Sequence, residues 1–158
     1  MQRVPMTPEG HQKLQETVRH MKEVVRPGIV QDIEEARAHG DLSENSEYED
    51  AKERQSLCEG RLRDFESRLA AAEVIDIKKV EPSERVIFGT TVVVEDLETE
   101  DEVQYRIVGE LEADVKSGTI SVTSPLARAL IGKEVGDEAL VRTPKGERRF
   151  SINDVLYR

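Results

Sequence analysis

Seven apolar residues, Leu14, Val18, Met21, Val25, Ile29, Ile33 and Ala36, follow one another at steps of three or four. That spacing draws one apolar stripe along a long helix. Thr7-Pro8 supplies the start: a side-chain oxygen for the first N–H groups, then a residue tolerated at the first helical position. Gly40, just past the stripe, supplies the stop. Arg26-Pro27-Gly28 interrupts the run, and because the stripe keeps its phase across Pro27 the sequence predicts one helix kinked there. A second series, Tyr48, Ala51, Gln55, Cys58, Leu62, Phe65, Leu69 and Ala72, alternates steps of three and four. It predicts the seam of a coiled coil on a helix from about residue 45 to about 75, with Ser46 and Glu49 at capping-box spacing. The connection between the helices is short, so they are expected to lie antiparallel, stripe to stripe. Around 30 helical residues at about 1.5 Å each give a hairpin on the order of 45 Å long, with the bend at its far end.

The pattern changes after Ile75-Asp76-Ile77. Glu81-Pro82-Ser83 marks a short linker. Beyond it come β-rich runs at Val86–Phe88, Thr91–Val94, Val103–Val108, Thr119–Val122, Ala139–Arg142 and Phe150–Tyr157. Ser124 as N-cap and Gly132 as stop bracket one short helix over Pro125–Leu130, and Thr143-Pro144-Lys145-Gly146 marks a hairpin turn. The predicted architecture is α+β in two domains. Residues 1–78 form an antiparallel coiled-coil hairpin with an acidic tip at 40–48, and residues 79–158 a small antiparallel sheet curled around one helix.

Composition narrows the function. Of 158 residues 37% are hydrophobic and 35% charged, which suits a chain with much exposed helix surface. The formal net charge of −10 repels nucleic acid and anionic membranes, so action near DNA or RNA requires a protein partner to bring the chain there. Cys58 is the only cysteine, which excludes an internal disulfide, and its place on the seam predicts a buried inert thiol. No apolar run has signal-peptide or membrane-spanning length, so a soluble cytoplasmic protein is expected.

The bend itself is the unusual stretch. From Asp41 to Asp50 it carries five carboxylates, Asp41, Glu44, Glu47, Glu49 and Asp50, and no Lys or Arg. Glu47, Glu49 and Asp50 have a plain explanation, since acids in a first helical turn are favoured by the helix dipole. Asp41 and Glu44 precede the helix and lack it. Two carboxylates are too few to hold Mg²⁺ alone, but they can complete a site whose other ligands belong to another molecule. Arg37, Lys52 and Arg54 flank the bend and either contact a phosphate backbone or pair with Glu34, Glu49 and Asp50 along their helices. His11, His20 and His39 are scattered and expected to face solvent, and Gly132-Lys133 lacks the preceding glycine of a phosphate loop.

The stretch RPGIVQDIEEARAHGDLSENSEYEDAKE resembles the signature of the Gre transcript cleavage factors of bacterial RNA polymerase, most closely the GreA-type subgroup. MTPEGHQKL, CEGRL, RVIFGTTV, YRIVGELEAD and ISVTSPLARALIGKEVGD extend the resemblance in order over nearly the whole chain. It implies a coiled coil followed by an FKBP-like domain, and an accessory factor rather than an enzyme. In such a factor the globular domain docks at the rim of the polymerase secondary channel and the coiled coil enters it. The tip then stimulates polymerase to cleave backtracked RNA near its 3′ end. Asp41 and Glu44 match the family's tip acids, which are implied to hold the second Mg²⁺ and position the attacking water, with no cofactor of the factor's own. Leu42, Ser43, Asn45 and Tyr48 match tip-shaping residues, and Arg37 and Lys52 match basic positions near the RNA. Ser124 and Pro125 match a segment associated with polymerase binding. Arg19, Lys22 and Arg26 loosely suggest a basic patch along the coiled coil. A monomer without membrane attachment or sequence-specific DNA binding is implied.

Two other functions are consistent with parts of the chain. A regulator that occupies the same channel and inhibits without cleavage would share the fold and differ at the tip, where this chain keeps both Asp41 and Glu44. A peptidyl-prolyl isomerase or chaperone would need clustered aromatics, and the second half offers Phe88, Tyr105, Phe150 and Tyr157.

Overall fold

The computed structural model describes residues 2–40 and 45–158. They divide into two compact units, one of His11–Ala72 and one of Arg3–Gly10 with Glu73–Arg158.

The first unit is a helical hairpin. Its first arm is helix α1 (Pro8–His20), which follows the second unit's short strand β1 (Val4–Met6) and runs through a π-helical turn (Met21–Val25) into α2 (Arg26–Arg37). His20, Val25 and Arg26 all keep right-handed helical dihedrals, so Pro27 does not break the helix. The adjustment lies in the preceding turn, where the Arg26 N–H reaches back five residues to the Met21 carbonyl. The sequence contains the cause. Met21, Val25, Ile29 and Ile33 are separated by three successive steps of four, each of which advances about 40° beyond a full turn of regular helix. A π turn takes up one extra residue and returns Met21, Ile29 and Ile33 to the same buried face.

Helix α3 (Ser46–Ala70) returns alongside. Val18, Met21, Ile29 and Ile33 pack against Ala51, Cys58 and Leu62, flanked by half-buried Val25, Tyr48, Phe65 and Leu69. Ion pairs cross the seam, among them Lys22–Glu66 (2.9 Å), Arg26–Glu59 (2.8 Å) and Arg54–Asp32 (3.0 Å). Their numbers fall along α3 as they rise through the π turn and α2, which fixes the antiparallel direction. Cys58 is free and buried, as its seam position predicts. The helix ends at Ala70, earlier than its periodicity suggests, because Ala72–Val74 is drawn into strand β2, which pairs with β1.

The second unit is a five-stranded sheet of β3 (Thr91–Asp96), β4 (Glu102–Val108), β5 (Thr119–Ser121), β6 (Glu138–Thr143) and β7 (Gly146–Leu156), in the order β5-β4-β3-β7-β6. Helix α4 (Pro125–Leu130) seats Ala127 and Leu130 in its core beside Val86, Val92, Val94, Ile107 and Ile152. This is the expected α+β arrangement with two corrections. The sheet is mixed, because β5 pairs parallel to β4. The run Val86–Phe88 is not a strand of this sheet; Val86 donates to the Lys133 carbonyl (2.8 Å) and accepts from the Gly132 N–H (2.9 Å). Its hydrophobicity reflects burial beneath the chain, with Val86 wholly buried and Phe88 nearly so.

Candidate functional site: the mouth of the hairpin

Helix α2 stops as its glycine dictates. His39 N–H bonds the Ala36 carbonyl (3.2 Å), Gly40 N–H bonds the Arg37 carbonyl (3.3 Å), and Gly40 itself has φ +99°. That dihedral lies in the region where a side chain is strained and glycine is not.

Helix α3 opens differently from its capping-box spacing. Asn45, not Ser46, is the N-cap, with extended dihedrals and its Oδ1 accepting from the N–H groups of Glu47 (3.0 Å) and Tyr48 (3.1 Å). The other half of the same amide turns away from α3. Its Nδ2 donates to the Ala36 carbonyl, 2.8 Å away on the last turn of α2. Ala36 and Ala51 are almost fully buried and carry the smallest side chains of the seam, which lets the two helix ends approach. Tyr48 lies half-buried on the edge of this packing, and the Arg37 guanidinium sits 5.9 Å from the centre of its ring. That is within cation–π range.

Charge is arranged around this mouth. Asp32, Glu35, His39, Glu47, Asp50 and Arg54 line an open cleft of about 210 Å³. Arg54 bridges the helices, reaching Asp32 at 3.0 Å and Asp50 at 3.3 Å. The hydrogen bond to Asp32 holds the Arg54 guanidinium above its ordinary pKa, against a smaller opposing effect of desolvation. Of the two roles open to the flanking cations, Arg54 therefore takes pairing. Arg37 stacks on Tyr48, and the exposed Lys52 contacts the Gln55 amide oxygen at 3.2 Å. Asp32 and the Ala36 carbonyl carry no signal in the sequence, since only the folded hairpin brings them to Arg54 and Asn45.

Asp41, Leu42, Ser43 and Glu44 lie outside the described residues; they join Gly40 to Asn45. Among the described residues no group of three or more His, Cys, Asp or Glu could hold a metal ion. Elsewhere, Lys22 and Arg26 of the suggested basic patch are engaged by Glu66 and Glu59 across the seam, and Arg19 is exposed. His20 and His39 are exposed as expected, whereas His11 is half-buried. In the second unit, Ser124 caps α4 by accepting from the Ala127 N–H (3.2 Å), and Pro125 is exposed at its first turn. The aromatics of that unit do not form an open cage. Phe88 is in the core, Tyr105 and Phe150 pack against it, and the Tyr157 hydroxyl bonds the Arg85 carbonyl and Ser83. No helix among the described residues is long and apolar enough to cross a membrane.

Two family models match the chain: "Transcription elongation factor, N-terminal" over residues 4–74 and "Transcription elongation factor, GreA/GreB, C-term" over residues 81–157. The chain is 56% identical to a transcription elongation factor GreA of Hyphomonas neptunium, over 158 residues that cover all of both proteins. It is 57% identical to one of Anaeromyxobacter sp. (strain K), covering 99% of this chain and 94% of that protein. Among solved structures it is similar to the GreA factor homolog 1 (Gfh1) protein of Thermus thermophilus, at 26% identity and a TM-score of 0.46, covering 98% and 99% of the two chains.

Proposed function

The chain belongs to the GreA/GreB family of transcription elongation factors, and on that premise we propose that it stimulates transcript cleavage by RNA polymerase. In this reading it is a cytoplasmic, monomeric accessory factor. The hairpin enters the polymerase secondary channel, the second unit docks at the channel rim, and the tip meets the 3′ end of a backtracked RNA.

Asp41 and Glu44 are the acting residues. They are hard oxygen donors suited to Mg²⁺, and too few to hold it without further ligands. With polymerase and phosphate oxygens completing the set, the two carboxylates would hold a magnesium ion that would supply charge neutralisation at the scissile phosphate and activation of water. Asp41 and Glu44 hold and orient that site, while Arg37 and Lys52 bind the phosphates of the extruded strand. Leu42, Ser43, Asn45 and Tyr48 shape the bend, and the exposed Pro125 with Ser124 belongs to the docking surface. Because the acids are incomplete alone, the free factor neither cleaves RNA nor retains Mg²⁺ appreciably.

One observation carries this reading: the segment containing Asp41 and Glu44 leaves from and returns to two helix ends tied together by the Asn45–Ala36 hydrogen bond. A stiff seam of about 25 helical residues behind those ends spans roughly 37 Å, enough to carry the pair deep into another molecule. The test is RNA cleavage by stalled elongation complexes with the parent chain, Asp41→Asn and Glu44→Gln. The parent is expected to accelerate cleavage, and both variants to lose that effect while still competing for polymerase. Occupancy of polymerase without any acceleration by the parent would make the chain a channel inhibitor instead.

A further inference from the structure

Asn45 uses its side chain in two directions. Its oxygen caps α3 through Glu47 and Tyr48, and its nitrogen holds the Ala36 carbonyl of α2 at 2.8 Å. Helix capping alone does not require asparagine, because Asp and Ser are about as good at an N-cap. Neither can do both tasks here. An ionised Asp has no donor, and a Ser hydroxyl is a shorter group with one proton, whereas the primary amide carries an acceptor and two donors on opposite arms. The Ala36 carbonyl is the relevant partner because it belongs to the last turn of α2, where carbonyls run out of intrahelical donors. It already accepts from the His39 N–H at 3.2 Å, so the Asn45 amide takes its second lone pair.

We infer that Asn45 is a positioning residue for transcript cleavage, a staple across the hairpin mouth that fixes the distance between the helix ends from which Asp41 and Glu44 are suspended. The inference rests on the function proposed above and gives Asn45, there one of the residues that shape the bend, a specific task that works through the acids rather than on the RNA. Four residues join Gly40 to Asn45. A hydrogen bond that holds the two helix ends fixes the approach to the bend before a metal and an RNA dock, which is the advantage of a preorganised site. Without the staple the same segment starts from a wider mouth.

The experiment uses the full chain on stalled elongation complexes and compares Asn45→Asp, Asn45→Ser and the parent, with Asp41→Asn as the dead control. Both position-45 variants keep an oxygen cap on α3 and lack the amide donor. The expected result is a fall of about tenfold in the maximal cleavage rate at saturating factor, within the roughly hundredfold that a 1 Å misplacement can cost. The factor concentration giving half the effect stays unchanged, the Mg²⁺ concentration giving half the effect rises, and the melting temperature stays close to the parent's. Unchanged maximal rates in both variants overturn the staple. So does a change confined to the half-saturating factor concentration, or opposite shifts for Asp and Ser, which would mark a charge effect. If the parent itself fails to stimulate cleavage, the proposed function falls and the staple's catalytic role falls with it. When the parent cleaves and Asp41→Asn does not, the proposed function stands, and the rates of the two position-45 variants then support or overturn the staple by themselves.

Discussion

The Glu112 carboxylate grips Thr7, 105 residues earlier in the chain, by accepting from both its backbone N–H (3.1 Å) and its hydroxyl. The same carboxylate accepts the Gly109 N–H at 2.9 Å. Thr7 Oγ1 in turn accepts the Gly10 N–H at 3.0 Å, so the N-cap of α1 is itself held by a half-buried acid. Thr7 is 1% exposed. Replacing Glu112 with Ala strands two backbone donors and one hydroxyl. We expect a loss of about 2 kcal/mol in stability by urea unfolding, the range for hydrogen bonds to a charged group. A change below about 0.5 kcal/mol, typical of an ordinary surface substitution, would show that the grip is not energetically significant.

Glycine-to-alanine changes in the helices should split by sign around the same carboxylate. Gly60 lies exposed within α3 with nothing within 4 Å of a would-be Cβ, so Gly60→Ala should stabilise the hairpin. The gain expected from helix propensity is about 1 kcal/mol. Gly10 also lies in a helix, but a Cβ there would collide with the Glu112 carboxyl group. A free glutamate would swing away; this one is held by Thr7 and Gly109. Gly10→Ala should therefore lower the melting temperature while Gly60→Ala raises it, and two upward shifts would refute the clash.

Most of the hairpin was legible in the sequence because helical periodicity is a repeated signal, with every seam residue reinforcing the next. The features that escaped are single contacts. Asn45 displaced Ser46 as N-cap because its second bond lies on the other helix, which no local spacing encodes. Strands β1 and β2 have three residues each, too few for alternation to show. Val86–Phe88 carried a strand's hydrophobicity, yet its backbone partners are Gly132 and Lys133. The parallel direction of β5 follows from the 3₁₀ turn Val115–Ser117 and left-handed Gly118 before it, a route that a β-rich run alone does not specify. At the site, residue types and order pointed to Asp41 and Glu44, while the Arg37–Tyr48 stack and the Arg54 bridge required the fold.

The ion pairs across the seam should carry register more than stability. Arg26 meets Glu59 through two contacts, at 2.8 and 3.1 Å, on a partly exposed surface. Hydrogen bonding to Glu59 raises the Arg26 pKa above its ordinary value, opposed by a smaller desolvation effect. A raised pKa means that the contribution is fully present below the unfolded value and is lost only as pH climbs through the folded one. The arginine's protonation should thus impose no pH dependence near neutrality. Arg26→Glu should lower the melting temperature, and adding Glu59→Arg should restore much of it at low salt. The restoration should shrink as salt rises, since exposed pairs are screened. Equal restoration at all salt concentrations would point to packing instead.

The π turn offers a sharper test of how the seam is built. If it exists to absorb the extra residue in the Met21–Ile33 spacing, then removing one residue from it should convert it to regular helix. Deleting the exposed Glu23 leaves the buried stripe on one face, so folding should survive with a change of no more than about 1 kcal/mol, comparable to a single exposed helix substitution. Deleting the equally exposed Glu53 from α3 has no such remedy. It rotates Tyr48 and Ala51 by about 100° relative to Cys58 and Leu62, and each large apolar side chain turned out of the seam costs about 1.5–3 kcal/mol. Circular dichroism melts of the two deletions are the measurement. The Glu23 deletion should melt near the parent and the Glu53 deletion far below it. Equal damage from both would mean that the π turn is not the seam's correction, and that Pro27 alone accounts for it.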